Sequence, residues 1–200
     1  MADNHDDPLL DEALKHFVHL FMEARKSGLA EPAVATLATV DDGGRPTLRT
    51  MTVTQFDVDG LVFFTNSGSR KGRHLERRPC AAICFYWNTL NEQVTVEGVV
   101  EQVPESDAAK WWASRSRDNQ FAAWASDQSA LLDSRDTLHN RLAKCREQFI
   151  DGRVPKPPRW RGYRLRPGRI EFWHAGWRNL HERVCYQHGD AGWEKFLLNP

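Results

Sequence analysis

Cysteine is scarce and unpatterned in this chain. Cys80, Cys84, Cys145 and Cys185 form no C-x-x-C pair and have no histidine at ligand spacing, which excludes a disulfide scaffold or a zinc module as the organising principle. Cys80 and Cys84 fall on one face of an apolar segment, where a buried free thiol is the ordinary reading. His16 and His19 share a helix face but have no third ligand nearby, so no metal is expected. No apolar run approaches the roughly 18 residues that span a bilayer. Charge of one sign is also missing: 27 Lys plus Arg balance 27 Asp plus Glu, and net charge selects no partner. The opening MADNHDDPLL is acidic where an export signal is basic and then apolar, so a cytoplasmic protein is expected. What is abundant is core material. Forty per cent apolar residues with 8 Trp and 10 Phe in 200 positions exclude disorder and suffice for one domain over 1–200.

The hydrophobic period organises that domain. Leu9, Ala13, Phe17, Leu20, Phe21 and Ala24 recur at helical spacing before Gly28, giving an N-terminal helix within 1–28. The period then shortens. Segments 33–40 and 47–56 read as a hairpin across Asp41-Asp42-Gly43-Gly44, 61–66 as a third strand after Asp59-Gly60, and 80–87 and 93–103 as two more. A short helix opens at Gly68-Ser69, and helical patterns return at 105–114, 119–126 and 131–149. After a Pro/Arg-rich connector at 154–158, strands are expected at 162–173, 181–186 and 193–198, forming a C-terminal unit over 162–200. Nothing alternates as βαβα. The expected class is mainly β with added helices (α+β), the sheet closing into a barrel to remove its edges.

Three local features carry chemistry. Arg70, Lys71 and Arg73 crowd the first turn of the helix capped by Ser69, where cations oppose the helix dipole. A bound anion reverses that sign, since N–H groups, dipole and side chains would converge on it; a solvated basic turn is the alternative. Arg49 shares a strand face with Met51 and Val53, a position that wants a buried anion or else an edge facing water. In 173–184, an extended 179–184 aims Asn179, His181 and Arg183 one way, making a polar site or a wet surface.

Taken together, LRTMTV (48–53), FFTNSGSRKGRHLE (63–76), the Gln93 strand, SRSRDNQFAAWASDQS (114–129), IEFW (170–173) and LHER (180–183) resemble the pyridoxamine 5'-phosphate oxidase family over nearly the whole chain. The resemblance implies a split β-barrel homodimer with FMN between subunits, acting as an oxidase on a small molecule with O2. It implies that Arg49, Thr50, Met51, Arg70 and Lys71 contact FMN, with Phe64 and Thr65 flanking it. Gln93, Trp173 and Arg183 would surround the flavin ring, and Gln128 with Ser129 would come from the second subunit. The C-terminal strands would complete the site.

On the substrate side the pattern departs. Family members that oxidise pyridoxine or pyridoxamine phosphate present a lysine, a tyrosine, an arginine and a serine where this chain has Thr54, Trp111, Arg115 and Asn119. The family's R-L-H arrangement reads Asn179-Leu180-His181, Arg178 is one residue out of register unless a bulge at Gly176 restores it, and no R-x-x-Y lid motif precedes Pro8. His181 and Arg115 are the candidates to orient substrate. The expectation is a flavin oxidase with an altered substrate, a dihydrophenazine-like heterocycle being one example. A true vitamin oxidase making pyridoxal 5'-phosphate, and a non-catalytic flavin or haem barrel with His181 or His174 as axial ligand, are the alternatives. The cation-rich stretch 153–169 interleaves Trp160 and Tyr163 as a single-strand binder might, but the balanced total charge favours a local strand or dimer contact over nucleic acid.

Overall fold

A computed structural model describes residues 7–200. The readings that no export signal and no lid motif precede Pro8 concern the first residues and lie outside the described ones. Helix α1 (Pro8–Lys26) starts where Asp7 accepts the Leu9 and Leu10 N–H groups at 2.9 and 3.4 Å, with Pro8 in the first turn, and it ends with Arg25 and Lys26 favourably placed on the dipole. Its apolar stripe is the one the period marks. Phe17 and Phe21 meet Phe56 at ring separations of 5.2 and 4.9 Å, and Phe17 meets Phe85 at 5.3 Å. This cluster plugs the barrel, and Trp87 at its end donates Nε1–H to the Pro32 carbonyl at 2.9 Å.

The strands are β1 (Val34–Val40), β2 (Pro46–Thr52), β3 (Gln55–Asp57), β4 (Gly60–Asn66), β5 (Cys80–Trp87), β6 (Glu92–Gln102), β7 (Trp160–His174), β8 (Glu182–Gly189) and β9 (Gly192–Leu197). All pairings are antiparallel, in the order β2-β1-β5-β6-β7-β4-β3, with β8 added to β7 and β9 to β8. The expected strand 47–56 breaks in two. Val53 N–H bonds Ala33 O while Thr54 N–H bonds Val62 O, so the chain leaves the β1 side and joins the β4 side at one corner, curling the sheet.

Strand β7 splits the barrel. It pairs with β6 along its length, whereas its outer edge serves β4 up to Leu165 and β8 from Arg169 onward. The changeover holds a bulge: Glu97 faces Arg169 and Gly98 faces Pro167, leaving Gly168 extra. Proline is tolerated there because no outer strand asks for its missing N–H. Gly98 is required, since a Cβ would lie 1.9 Å from the Arg166 carbonyl.

Three helices, α3 (Glu105–Ser114), α4 (Arg117–Ala125) and α5 (Arg135–Gln148), form a second small core around Trp112, Phe121 and Val154. Trp112 Nε1–H donates to Val154 O at 2.8 Å, and Arg117 donates to the carbonyls of Phe149 and Gly152 just past α5. Helix α5 begins at Arg135 rather than 131 because Ser134 caps it by accepting from Thr137 N–H. The mainly β, α+β class is therefore the one observed.

One expectation needs correction. Residues 179–184 are not extended throughout. Trp177–Asn179 form a 3-10 turn closed by Leu180 N–H to Trp177 O at 3.1 Å, Arg178 and Asn179 have φ of 53° and 65°, and β8 starts at Glu182. Gly176 permits this turn, as a Cβ there would stand 1.7 Å from the Leu180 carbonyl. No bulge brings Arg178 into register; its guanidinium lies 4.0 Å over the Trp177 ring. In the basic stretch 153–169, five of the seven cations are ion-paired among the described residues. Lys156 and Arg161 pair with Glu105, Arg164 with Asp57, Arg166 with Glu101 and Arg169 with Glu171. Tyr163 is buried, and Trp160 packs edge-on against Trp112.

Candidate active site

Helix α2 (Arg70–Arg77) anchors the site. The buried Ser69 side chain accepts Gly72 N–H at 3.2 Å, and a Cβ on Gly72 would meet the Ser67 carbonyl at 2.3 Å, so only glycine lets this first turn sit on the preceding loop. Arg73 turns back to the Gly68 carbonyl. Arg70 and Lys71 remain. Lys71 Nζ donates to Thr65 Oγ1 at 3.1 Å and to Gln128 Oε1 at 3.2 Å, and Thr65 Oγ1 donates to the same Gln128 oxygen at 2.9 Å. Burial, then the nearby Arg49, lowers the Lys71 pKa to about 8.

Arg49 projects inward from edge strand β2, so both sequence alternatives contain part of the answer: the strand is an edge, and the side chain is half-buried. Its guanidinium donates to Leu37 O at 3.0 Å, Thr39 Oγ1 at 2.8 Å and Thr47 Oγ1. Burial, then Arg70, lowers its pKa. Among the described residues, Arg49, Arg70 and Lys71 have neutral oxygen acceptors or none, and no carboxylate partner. Three converging cations without internal compensation are costly unless an anion joins them.

Lys71 lines one end of a cleft of about 510 Å³, with Arg49 close to both Lys71 and Arg70. Thr50, Met51, Thr54, Phe64 and Thr65 line it from the sheet, and Trp111, Arg115 and Asn119 line it from α3 and α4. Trp111 stacks on Phe64 at 5.4 Å and 9° between planes. The Arg115 guanidinium lies 4.5 Å over Trp160 and donates to Asn119 O at 3.2 Å, while its Nε and the Trp111 Nε1 are buried without a partner. Burial lowers the Arg115 pKa. The expected cofactor residues and expected substrate residues of this half thus share one cleft. Ser114 and Ser116 also line it and were missed, although both flank Arg115 in sequence. Thr39 was missed as well; its signal is a hydroxyl at a buried, otherwise apolar position of β1.

Gln128 meets Thr65 and Lys71 of its own chain, where the segment after α4 returns over the cleft. Ser129 follows it with φ of 71°.

A second set lies elsewhere. Gln93, Trp173 and Arg183 are direct neighbours across β6, β7 and β8. Arg183 is held by Glu171 Oε1 at 2.8 Å from Nε and by Asn199 O at 2.9 Å. His181 packs on Trp173 at 4.7 Å, and its Nδ1 accepts Gly176 N–H at 3.3 Å, leaving Nε2 as the proton-bearing nitrogen of the neutral ring. His174 pairs with Glu92 at 2.8 Å. None of this set lines the cleft of the same chain, nor does Asn179.

The donor set beside the cleft fits a phosphate: three cations, one of them the Lys71 ammonium, and a helix N-terminus, near flat walls suited to a flavin. Comparison with known proteins agrees. Residues 21–149 match the family described as pyridoxamine 5'-phosphate oxidase, and 160–200 match the pyridoxine 5'-phosphate oxidase C-terminal dimerisation region. The chain is 45% identical over 194 residues to a pyridoxine/pyridoxamine 5'-phosphate oxidase of Alkalilimnicola ehrlichii, covering 96% of this chain and 99% of that one. A relative of the same description from Myxococcus xanthus is 44% identical over 189 residues, covering 94% and 92%. The crystal structure of PhzG from Burkholderia lata in complex with tetrahydrophenazine-1-carboxylic acid superposes with a TM-score of 0.87 at 32% identity, covering 100% of this chain and 98% of that one. The split sheet, the uncompensated cations and these matches lead to one statement: the chain belongs to the pyridoxamine 5'-phosphate oxidase family of FMN-binding, homodimeric split-barrel oxidoreductases.

Proposed function

We propose that this protein is an FMN-dependent oxidase that takes a hydride from a flat, singly anionic heterocyclic substrate, with O2 as the final acceptor and hydrogen peroxide as the product. The observation that carries the FMN site is the unpaired trio Arg49, Arg70 and Lys71. In this reading the trio holds the phosphate, and Thr65 and Gln128 fix the Lys71 ammonium. Thr50, Met51 and Phe64 line the path of the ribityl chain and ring, with Ser129 beside Gln128. Gln93, Trp173 and Arg183 of the partner subunit close the ring site, which explains why they stand apart from the cleft of their own chain. When bound, FMN supplies the two-electron chemistry, and the chain supplies binding, orientation and a dry wall.

Substrate orientation falls to Arg115 and His181, with Thr54, Trp111 and Asn119 shaping the pocket. Arg115 is the only cation among Thr54, Trp111, Arg115 and Asn119, and as a cleft-lining guanidinium it offers a charge-assisted bond to one anionic group. His181 presents Nε2–H. A doubly charged phosphate ester loses the lysine at Thr54 and weakened contacts at two more positions. At about 1.5–3 kcal/mol for each charge-assisted bond, that amounts to roughly three orders of magnitude in affinity. The ligand named with the PhzG structure, a ring acid, supports the same class.

A second reading, a vitamin oxidase turning over pyridoxamine or pyridoxine phosphate, is favoured by the 44 and 45% identical relatives. Anaerobic mixing of the yellow protein with each substrate separates the two. A dihydrophenazine carboxylate should bleach the flavin faster than pyridoxamine phosphate; the opposite order gives the vitamin reading.

A further inference from the structure

Beneath Arg49 lies a buried polar layer that the cofactor reading does not use. Thr39 is 1% exposed and His74 8% exposed, both in an otherwise apolar setting between β1 and α2. Thr39 Oγ1 is shared: Arg49 donates to it at 2.8 Å, and His74 Nδ1 lies 3.2 Å away. Thr47, which also accepts from Arg49, is oriented to donate to the Thr39 carbonyl at 3.4 Å. Thr39 Oγ1 also lies 3.4 Å from Thr47 Oγ1. The Arg49 N–H occupies one lone pair of Thr39 Oγ1; with the ring proton on Nε2, His74 Nδ1 accepts the Thr39 hydroxyl hydrogen, whereas in the other tautomer Nδ1–H takes the second lone pair and the hydroxyl turns to Thr47.

We propose that His74 is a positioning residue of the cofactor-phosphate site: its Nδ1 turns the Thr39 hydroxyl so that a lone pair faces Arg49 and fixes the pitch of that guanidinium. The inference rests on the reading that Arg49 meets the FMN phosphate. The surroundings keep the imidazole neutral, the state in which Nδ1 can accept. Burial lowers its pKa first, and Arg70, Arg49 and Arg73 act in the same direction against the single opposing carboxylate, Asp41. A ring protonated at Nδ1 would point a second donor at Thr39 and break the alignment.

The test compares FMN with riboflavin, which lacks the phosphate, on full-length protein stripped of flavin. His74→Leu removes the acceptor at similar volume and should weaken FMN about five- to tenfold, the range for one neutral hydrogen bond, with riboflavin unchanged. His74→Asn, whose amide oxygen can replace Nδ1, should restore FMN binding. Thr39→Val should reproduce the loss, and the double variant should add little to either single change. Equal weakening of both flavins, no weakening of either, or failure of asparagine to rescue overturns the proposal. If His74→Leu does not fold, Thr39→Val and His74→Asn still decide it. Arg49→Leu is the separate control: an unchanged FMN-to-riboflavin ratio in that variant refutes the underlying phosphate reading instead.

Discussion

Lys71 is the residue whose chemistry is easiest to interrogate. In the free protein its pKa is lowered to about 8 by burial and Arg49. A phosphate dianion beside it favours the ammonium and raises that value, so binding takes up a proton. The sign follows: the contribution of Lys71 to FMN affinity is complete below pH 8 and is lost as pH rises toward the bound-state value, at about tenfold per pH unit. Titrations of FMN between pH 7 and 10 should show this fall, and Lys71→Gln should flatten it. A wild-type affinity flat across that range would contradict the assignment. At the same scale, Gly72→Ala puts a methyl 2.3 Å from the Ser67 carbonyl and should lower Tm and flavin content together, by about 1–3 kcal/mol in stability. Arg70 and Lys71 were legible because cations crowding a helix start violate a local preference, and Arg49 because a lone arginine on an apolar strand face calls for an anion or an edge. His74 and Thr39 were not, because their meaning depends on two distant segments meeting behind Arg49.

At the scale of elements, strongly periodic segments read well: α1 and β5 have the bounds their patterns predict. Failures cluster where tertiary contacts override local pattern. The corner at Val53 and Thr54 alternates like any strand, yet its hydrogen bonds go to two different neighbours. The start of 179–184 read as extended because Arg178 gives no sign of a turn, although Arg178 and Asn179 take left-handed backbone, at a cost of roughly 1–2 kcal/mol for a residue such as Arg. Arg178→Gly should therefore stabilise the turn by relieving strain while exposing the Trp177 ring, and thermal unfolding measures the balance. The N-terminal cap offers a cleaner number. Asp7 accepts from two α1 N–H groups and from Trp193 N–H, so Asp7→Ala should cost about 1–2 kcal/mol, measured by urea unfolding.

For the whole molecule, the decisive fact is the separation of the two site halves within one chain. The cleft is lined by Lys71 and Arg115, with Arg49 close to Lys71, while Gln93 stands on β6 and Trp173 and Arg183 lie within the dimerisation region. No sequence pattern states that separation, because spacing along a chain carries no information about a second copy. Complementation tests it. Lys71→Glu and Arg183→Glu homodimers should each lack flavin. Mixed at random, they form heterodimers that carry one doubly damaged site and one intact site. About a quarter of the wild-type flavin absorbance per protomer should return. Its absence would mean that one chain builds its own complete site.

The changeover on β7 gives this arrangement a mechanical meaning. Its first half registers the strand that bears Phe64 and Thr65, its second half registers the strand that bears Arg183, and the kink at 166–168 is the spacer between them. One residue added to that spacer would swing Trp173 and Arg183 to the wrong side of the ribbon, delivering to the neighbouring copy a blank wall where it awaits a tryptophan and an arginine. In the proposed two-subunit site, each protomer thus keeps the gauge that sets the spacing of its partner's chemistry.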